Sequence, residues 1–319
     1  MPRLFETDPK PEDYGDILQP QEAAEPILAK PVRDSLMAWL QEIWAEKELL
    51  AVGLKPQKKA MFDGKPGTGK TTLAHHLAAR LGLPMLVVRP ERLIDSWVGS
   101  SARNIGGLFD CFTSKSATPM LLFMDEFDAV ASKRRQSTRQ GAEDERNAWV
   151  NTLLQRIEQY EGYLIAATNF GGEIDPAVWR RFDIHITIDL PGQWERERIL
   201  ARYLAPFGLP KRGLVSLAES FETASPALMR QFCEGLKRQI VIGPKVGWDM
   251  RRDQVVGRLL STIKPHPDFG KPRLWTKEAS DEAVRVMPWP LPKAADLPKE
   301  DAPREGETET KIVPLRKSP

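Results

Sequence analysis

Cysteine is scarce: the 319 residues hold two, Cys111 and Cys233. They lie far apart, each within an apolar helical pattern, which excludes a disulfide framework and points to buried packing rather than a metal site. A reducing cytosol fits that usage. Long apolar runs are missing, since none approaches the roughly 18 residues of a membrane span. Met1 to Lys10 has no signal-peptide core, so the expected location is cytoplasmic, without a membrane partner. An excess of one charge is missing as well. The 46 Lys and Arg nearly balance 44 Asp and Glu, leaving +2, so overall charge announces neither nucleic acid nor membrane, and any basic surface must be local. Helix-turn-helix and zinc-binding spacings are also lacking.

What is present begins with Gly64-Lys65-Pro66-Gly67-Thr68-Gly69-Lys70-Thr71, a full match to G-x-x-x-x-G-K-[ST]. It follows the apolar Ala60-Met61-Phe62 and precedes the helix-like Thr72 to Leu81. Strand, glycine loop and helix start therefore come in the order that phosphate binding needs. Gly64, Gly67 and Gly69 let the backbone turn tightly and approach an anion at the positive end of the helix. Lys70 is expected to reach the β- and γ-phosphates and Thr71 to hold Mg²⁺, which makes ATP and Mg²⁺ the expected cofactors. Pro66, Thr68 and Thr72 complete the nucleotide-binding stretch.

Apolar runs recur at 60–62, 85–88, 120–124, 163–167 and 184–188, each of strand length and continuous enough to be buried on both faces. Helical patterns separate them, so the chain predicts a parallel α/β sheet over residues 31–191. After Leu190-Pro191-Gly192 the pattern turns helical, predicting a small all-α lid domain over 192–264. Residues 1–30, rich in Pro, Glu and Asp, read as an extended arm. Residues 265–319 read as a Pro-rich, largely disordered tail. Its islands 269–275 and 286–289 either pack on the helical domain or form a docking motif.

Leu121-Leu122-Phe123-Met124-Asp125-Glu126 delivers two acids from an apolar strand. Asp125 is placed to order a Mg²⁺ shell and Glu126 to orient or deprotonate water; the competing use is to cap the next helix. Leu164 to Ala167 ends in Thr168-Asn169, where Asn169 can bond a phosphate or water, or simply make a turn.

Together GKPGTGKT, LLFMDE, AATN and Ile174 to Asp183 resemble the AAA ATPases, the branch with arginine fingers, over roughly residues 53–242. The resemblance implies a P-loop NTPase fold of AAA+ type: a five-stranded parallel sheet in order 5-1-4-3-2, helices on both faces, and a helical lid. It implies a Mg²⁺-dependent ATPase working as a homo-oligomeric ring, usually a hexamer, whose ATP site is shared between subunits. Asn169 matches the sensor-1 position, and Arg180 and Arg181 match the fingers that enter the neighbour's site, where a guanidinium offsets developing charge. The two arginines are adjacent here, not spaced as R-x-G-R. Lys65 departs from the small residue or proline common in relatives, and the role of Arg230, after Ser225-Pro226-Ala227-Leu228-Met229, stays open.

Trp97-Val98-Gly99 match the family's pore loop, where a large aromatic grips an extended chain by apolar contact. A polypeptide substrate follows from that match, with a separate protease or adaptor as partner. The rival reading is a nucleic-acid-associated switch, a loader or mobile-element helper. It rests on Lys133, Arg134, Arg135 and Arg139, which could line a pore or lie on solvated surface. A structural ATP binder without turnover is disfavoured by Glu126 and the arginine pair.

Overall fold

A computed structural model describes residues 9–94, 100–113, 118–131, 140–276 and 285–298, with backbone alone for 140–146 and 268. Its strands are β1 (Gly15–Leu18), β2 (Lys59–Asp63), β3 (Met85–Val88), β4 (Leu121–Met124), β5 (Leu164–Thr168) and β6 (Ile184–Thr187). They form one sheet in the order β1-β3-β4-β5-β2-β6. From β3 to β6 all pairings are parallel, and the order is the expected 5-1-4-3-2. The expected count of five is corrected to six by β1, which pairs antiparallel with β3 at the edge.

That sixth strand comes from the stretch read as an extended arm. Backbone pairing needs no apolar period, so a short segment among prolines and acids gives little strand signal. Gly15 is what permits the approach, because a Cβ there would lie 1.9 Å from the Val87 carbonyl oxygen. Arg89 then clamps Asp16 through Nε and Nη2.

Helices α1 (Lys30–Trp44), α2 (Glu46–Ala51), α3 (Lys70–Arg80), α4 (Pro90–Leu93), α5 (Ser100–Asp110), α6 (Asp128–Ala131), α7 (Gln140–Gln159) and α8 (Pro176–Trp179) surround the sheet. Alternation along β2 divides the interior. Ala60 and Phe62 join α1 and α3 through Leu36, Leu40, Leu73 and Leu77, whereas Met61 joins Ile105, Leu108, Leu153 and Ile157 of α5 and α7. Both faces being covered explains why the strands read as continuous apolar runs. Helix α3 stops at a left-handed Gly82, with Leu83 N donating to Ala78 O and Gly82 N to Ala79 O, the reciprocal pair that satisfies terminal carbonyls.

The lid comprises α9 (Gln193–Leu204), α10 (Lys211–Ser220), α11 (Pro226–Ile242) and α12 (Arg252–Thr262) around Phe221, Phe232 and Leu236. Buried Arg196 of α9 donates to Ala218 O of α10 within the lid and to Pro191 O in the connection from the sheet domain. The Pro-rich stretch does not hang free at 265–276 and 285–298. Leu274, Met287 and Leu291 are buried in the lid core, and Trp275 and Trp289 donate to Ile263 O and Met250 O. These residues were expected within a largely disordered tail. Isolated apolar side chains between prolines have no helical or strand period, but they complete a core built elsewhere.

Candidate active site

The phosphate loop lies between the end of β2 and the start of α3, where the helix presents backbone N–H groups and its positive end. Gly67 and Gly69 have φ of 75° and 97°, the left-handed region that disfavours other residues. A Cβ on Gly67 would also meet Ala227 Cβ at 2.9 Å, because the lid docks on this loop: Ala227 N donates to Gly67 O at 3.2 Å.

Lys70 is buried, yet its ammonium is fully engaged. It donates to Gly64 O at 2.6 Å, Lys65 O at 3.2 Å and Asn169 Oδ1 at 2.7 Å. Burial lowers its pKa, opposed by the negative charges of Asp125, Asp63 and Asp128. The loop thus holds its cation poised by neutral oxygens, ready to exchange them for an anion.

Thr71 Oγ1 donates to Asp125 Oδ2 at 2.8 Å, while Glu126 N donates to Asp125 Oδ1 at 2.9 Å. A hydroxyl and a carboxylate side by side form a hard oxygen pair. That donor set suits Mg²⁺, which takes few protein ligands and keeps waters and phosphate oxygens. Glu126 is exposed and has φ of 47°, the single positive value at a non-glycine residue among those described. Nearby, Thr168 Oγ1 donates to Asp128 Oδ1 at 2.7 Å, so the end of β5 is joined to the start of α6.

Lys70, Thr71, Asp125 and Glu126 face a cavity of about 710 Å³ between the sheet domain and the lid. Its lining includes Pro66, Gly67, Thr68, Gly69, Lys70 and Thr71. Thr72, Asp125, Glu126 and Asn169 also line it. The volume falls within the few hundred to about 1,000 Å³ of small-molecule sites. Sequence reasoning missed part of the wall: Ala24 to Leu28 from the arm, and Arg202 and Tyr203 from α9. The arm has no period to betray that role. Arg230, left open, also lines the cavity and pairs with Glu234 at 2.7 Å.

Other expected site residues lie elsewhere. Arg180 and Arg181 follow α8 on the surface and do not line their own chain's cavity, and Arg181 Nη2 pairs with Glu158 Oε2 at 3.2 Å. Lys65 is not among the residues that line the cavity, and its Nζ lies 5.3 Å from the Phe269 ring centroid in the segment after α12. Trp97, Val98 and Gly99 lie outside the described residues, as do Lys133, Arg134, Arg135 and Arg139. Cys233 is buried and Cys111 half-buried, both free, with thiol pKa values pushed up by burial to about 12 and about 11. Among the described residues, no helix is long and apolar enough to cross a membrane.

Residues 60–190 match the model of the ATPase family associated with various cellular activities, AAA. An AAA family ATPase of Sinorhizobium fredii, y4kL, is 40% identical over 183 residues, 56% of this chain and 53% of that one. The 26S proteasome regulatory subunit 10B homolog A of Arabidopsis thaliana is 33% identical over 245 residues, 70% and 58% of the two chains. The ATP-dependent zinc metalloprotease FtsH 1 of Symbiobacterium thermophilum is 35% identical over 178 residues, 53% and 30%. The match therefore spans from under a third to somewhat over half of these relatives' lengths. Motif order, sheet order and these similarities together show that residues 60–190 of the chain form an AAA ATPase domain.

Proposed function

We propose that the protein is an ATP-hydrolysing motor that assembles as a ring, of hexamer type, and remodels polypeptides drawn through a central pore. The observation that carries this reading is the Lys70–Asn169 and Thr71–Asp125 pairing on one cavity wall, with Glu126 beside it and Arg180 and Arg181 on the outer surface. A cavity holding the base but not the arginines supports a site completed by a neighbouring subunit.

In this reading Thr71 and Asp125 hold Mg²⁺, which supplies charge neutralisation at the phosphates. Lys70 exchanges Asn169 Oδ1 for a phosphate oxygen, and the freed Asn169 amide orients the attacking water. Glu126 accepts that water's proton as its oxygen bonds to the γ-phosphorus and the bond to the β-phosphate oxygen breaks, leaving ADP and phosphate. Arg180, with Arg181 once exchanged from Glu158, offsets charge on the neighbour's transferring group. The names of two relatives, a proteasome regulatory subunit and an ATP-dependent protease, support a polypeptide substrate and a partner such as a protease or adaptor.

The test is to trap Glu126→Gln with ATP in its native cell and identify what co-purifies. A protein client is expected; nucleic acid in its place would favour the rival reading. Trp97→Ala should keep nucleotide binding and lose remodelling, whereas unchanged remodelling would remove the pore from the scheme.

A further inference from the structure

Behind the wall that closes the nucleotide cavity lies a second, smaller one of about 90 Å³. Glu25 to Leu28 and Arg202 line both. Beyond them the floor is apolar, formed by Leu36, Met37 and Leu40 of α1 with Leu77 of α3. Four guanidinium groups surround that floor: Arg33 of α1, Arg80 in the last turn of α3, and Arg198 and Arg202 of α9. Glu25 is the single acid among the lining residues.

Arginines on a surface are ordinarily solvated, and some of these have local uses. Arg202 Nη1 donates to Glu25 O at 2.5 Å, and Arg198 lies 4.7 Å over the half-exposed Trp194 ring. Arg80 is well placed against the carboxyl end of its helix. His76 carries a second, independent signal. It lines the same cavity, and its Nδ1 is buried without a hydrogen-bond partner among the described residues. Burial first, then Arg80 and His75, push its pKa down to about 4, so the ring is neutral at physiological pH. A buried nitrogen left without a partner has given up its hydration with nothing in return and calls for an explanation.

We propose that this cavity binds a small amphiphilic anion: a carboxylate or phosphate group held by Arg80, Arg198 and His76 Nδ1, joined to an apolar body resting on Leu36, Met37 and Leu77. Such a ligand would touch α1 and α3 of the sheet domain and α9 of the lid together. Because Glu25 to Leu28 and Arg202 form the shared wall, its occupancy would alter ATP affinity, and ATP would alter its affinity by the same factor. The oxyanion can come from a free small molecule or from an acidic side chain beside apolar residues in a peptide.

Two probes distinguish these sources when titrated calorimetrically into the full chain: phenyl phosphate, and acetyl-Leu-Asp-Leu-amide. At least one is expected to bind saturably at one per chain. Binding is expected to persist in Lys70→Ala, which cripples the phosphate loop, and to weaken about tenfold or more in Arg80→Gln/Arg198→Gln, which removes charge-assisted bonds. Phenyl phosphate alone would identify a free ligand, and the peptide alone a partner protein. Met37→Trp, which fills the floor without touching the cations, should also abolish binding while ATP binding reports an intact fold. Failure of both probes, loss of binding in Lys70→Ala, or indifference to the arginine and Met37 substitutions would overturn the proposal.

Discussion

Glu126 stores backbone strain that can be removed together with its chemistry. It is exposed, and its φ of 47° is one that an L-residue ordinarily avoids. The left-handed conformation costs about 1 to 2 kcal/mol for a residue with a Cβ, and glycine occupies it freely. Glycine also adds about 0.4 to 1 kcal/mol of unfolded-chain entropy, which works against the gain. Glu126→Gly is therefore expected to stabilise the nucleotide-free protein by about 0.5 to 1 kcal/mol. Glu126→Gln retains the Cβ and should leave stability within about 0.5 kcal/mol of the parent. Both should lose ATP turnover. Urea unfolding followed by far-ultraviolet circular dichroism, with phosphate release measured on the same preparations, makes the comparison. A Glu126→Gly protein that is less stable than Glu126→Gln, or that still turns over ATP, would refute the reasoning.

His76 should contribute a distinct acid sensitivity. Burial pushes its pKa down to about 4 from the ordinary imidazole value of 6.5, so the stabilisation is present above pH 6.5 and is lost as pH falls through 4. The shift corresponds to about 3 kcal/mol, discounted to about 2 because the ring is partly exposed. Chemical unfolding at pH 7.5 and pH 4 should show that loss in the parent and a smaller one in His76→Leu; equal losses would reject it. Lys65 and Phe269 should be coupled. Single alanine substitutions at either are each expected to weaken ATP binding a few-fold, and the double variant no more than the worse single one, as for a contact of about 0.5 to 1 kcal/mol. Full additivity in nucleotide titrations would separate the two residues.

Legibility in the sequence followed physical cause. Strands buried on both faces, such as Leu121–Met124 and Leu164–Thr168, read as apolar runs, and the phosphate loop carried its own spacing. Asp125, Glu126 and Asn169 were legible because each ends such a run. What escaped was held by partners remote in sequence. β1 depends on Gly15 meeting Val87, and the cavity wall at Glu25 to Leu28 depends on Arg202. Leu274, Met287 and Trp289 gain their place from a core laid down by α10, α11 and α12. Lys65 was visible as a departure without a partner; the ring it lies against, Phe269, is about two hundred residues downstream on a segment with no period of its own.

Completion of the ATP site by a neighbouring subunit can be tested by mixing two inactive variants. Lys70→Ala lacks a working phosphate loop but keeps its arginines, whereas Arg180→Ala/Arg181→Ala keeps the loop and lacks the arginines. Co-assembled at equal amounts, random mixing places an intact loop against intact arginines at about a quarter of the interfaces. The expected result is ATP hydrolysis in the mixture well above either variant alone. A mixture as inactive as its components, with assembly shown by sedimentation, would contradict a site shared between subunits.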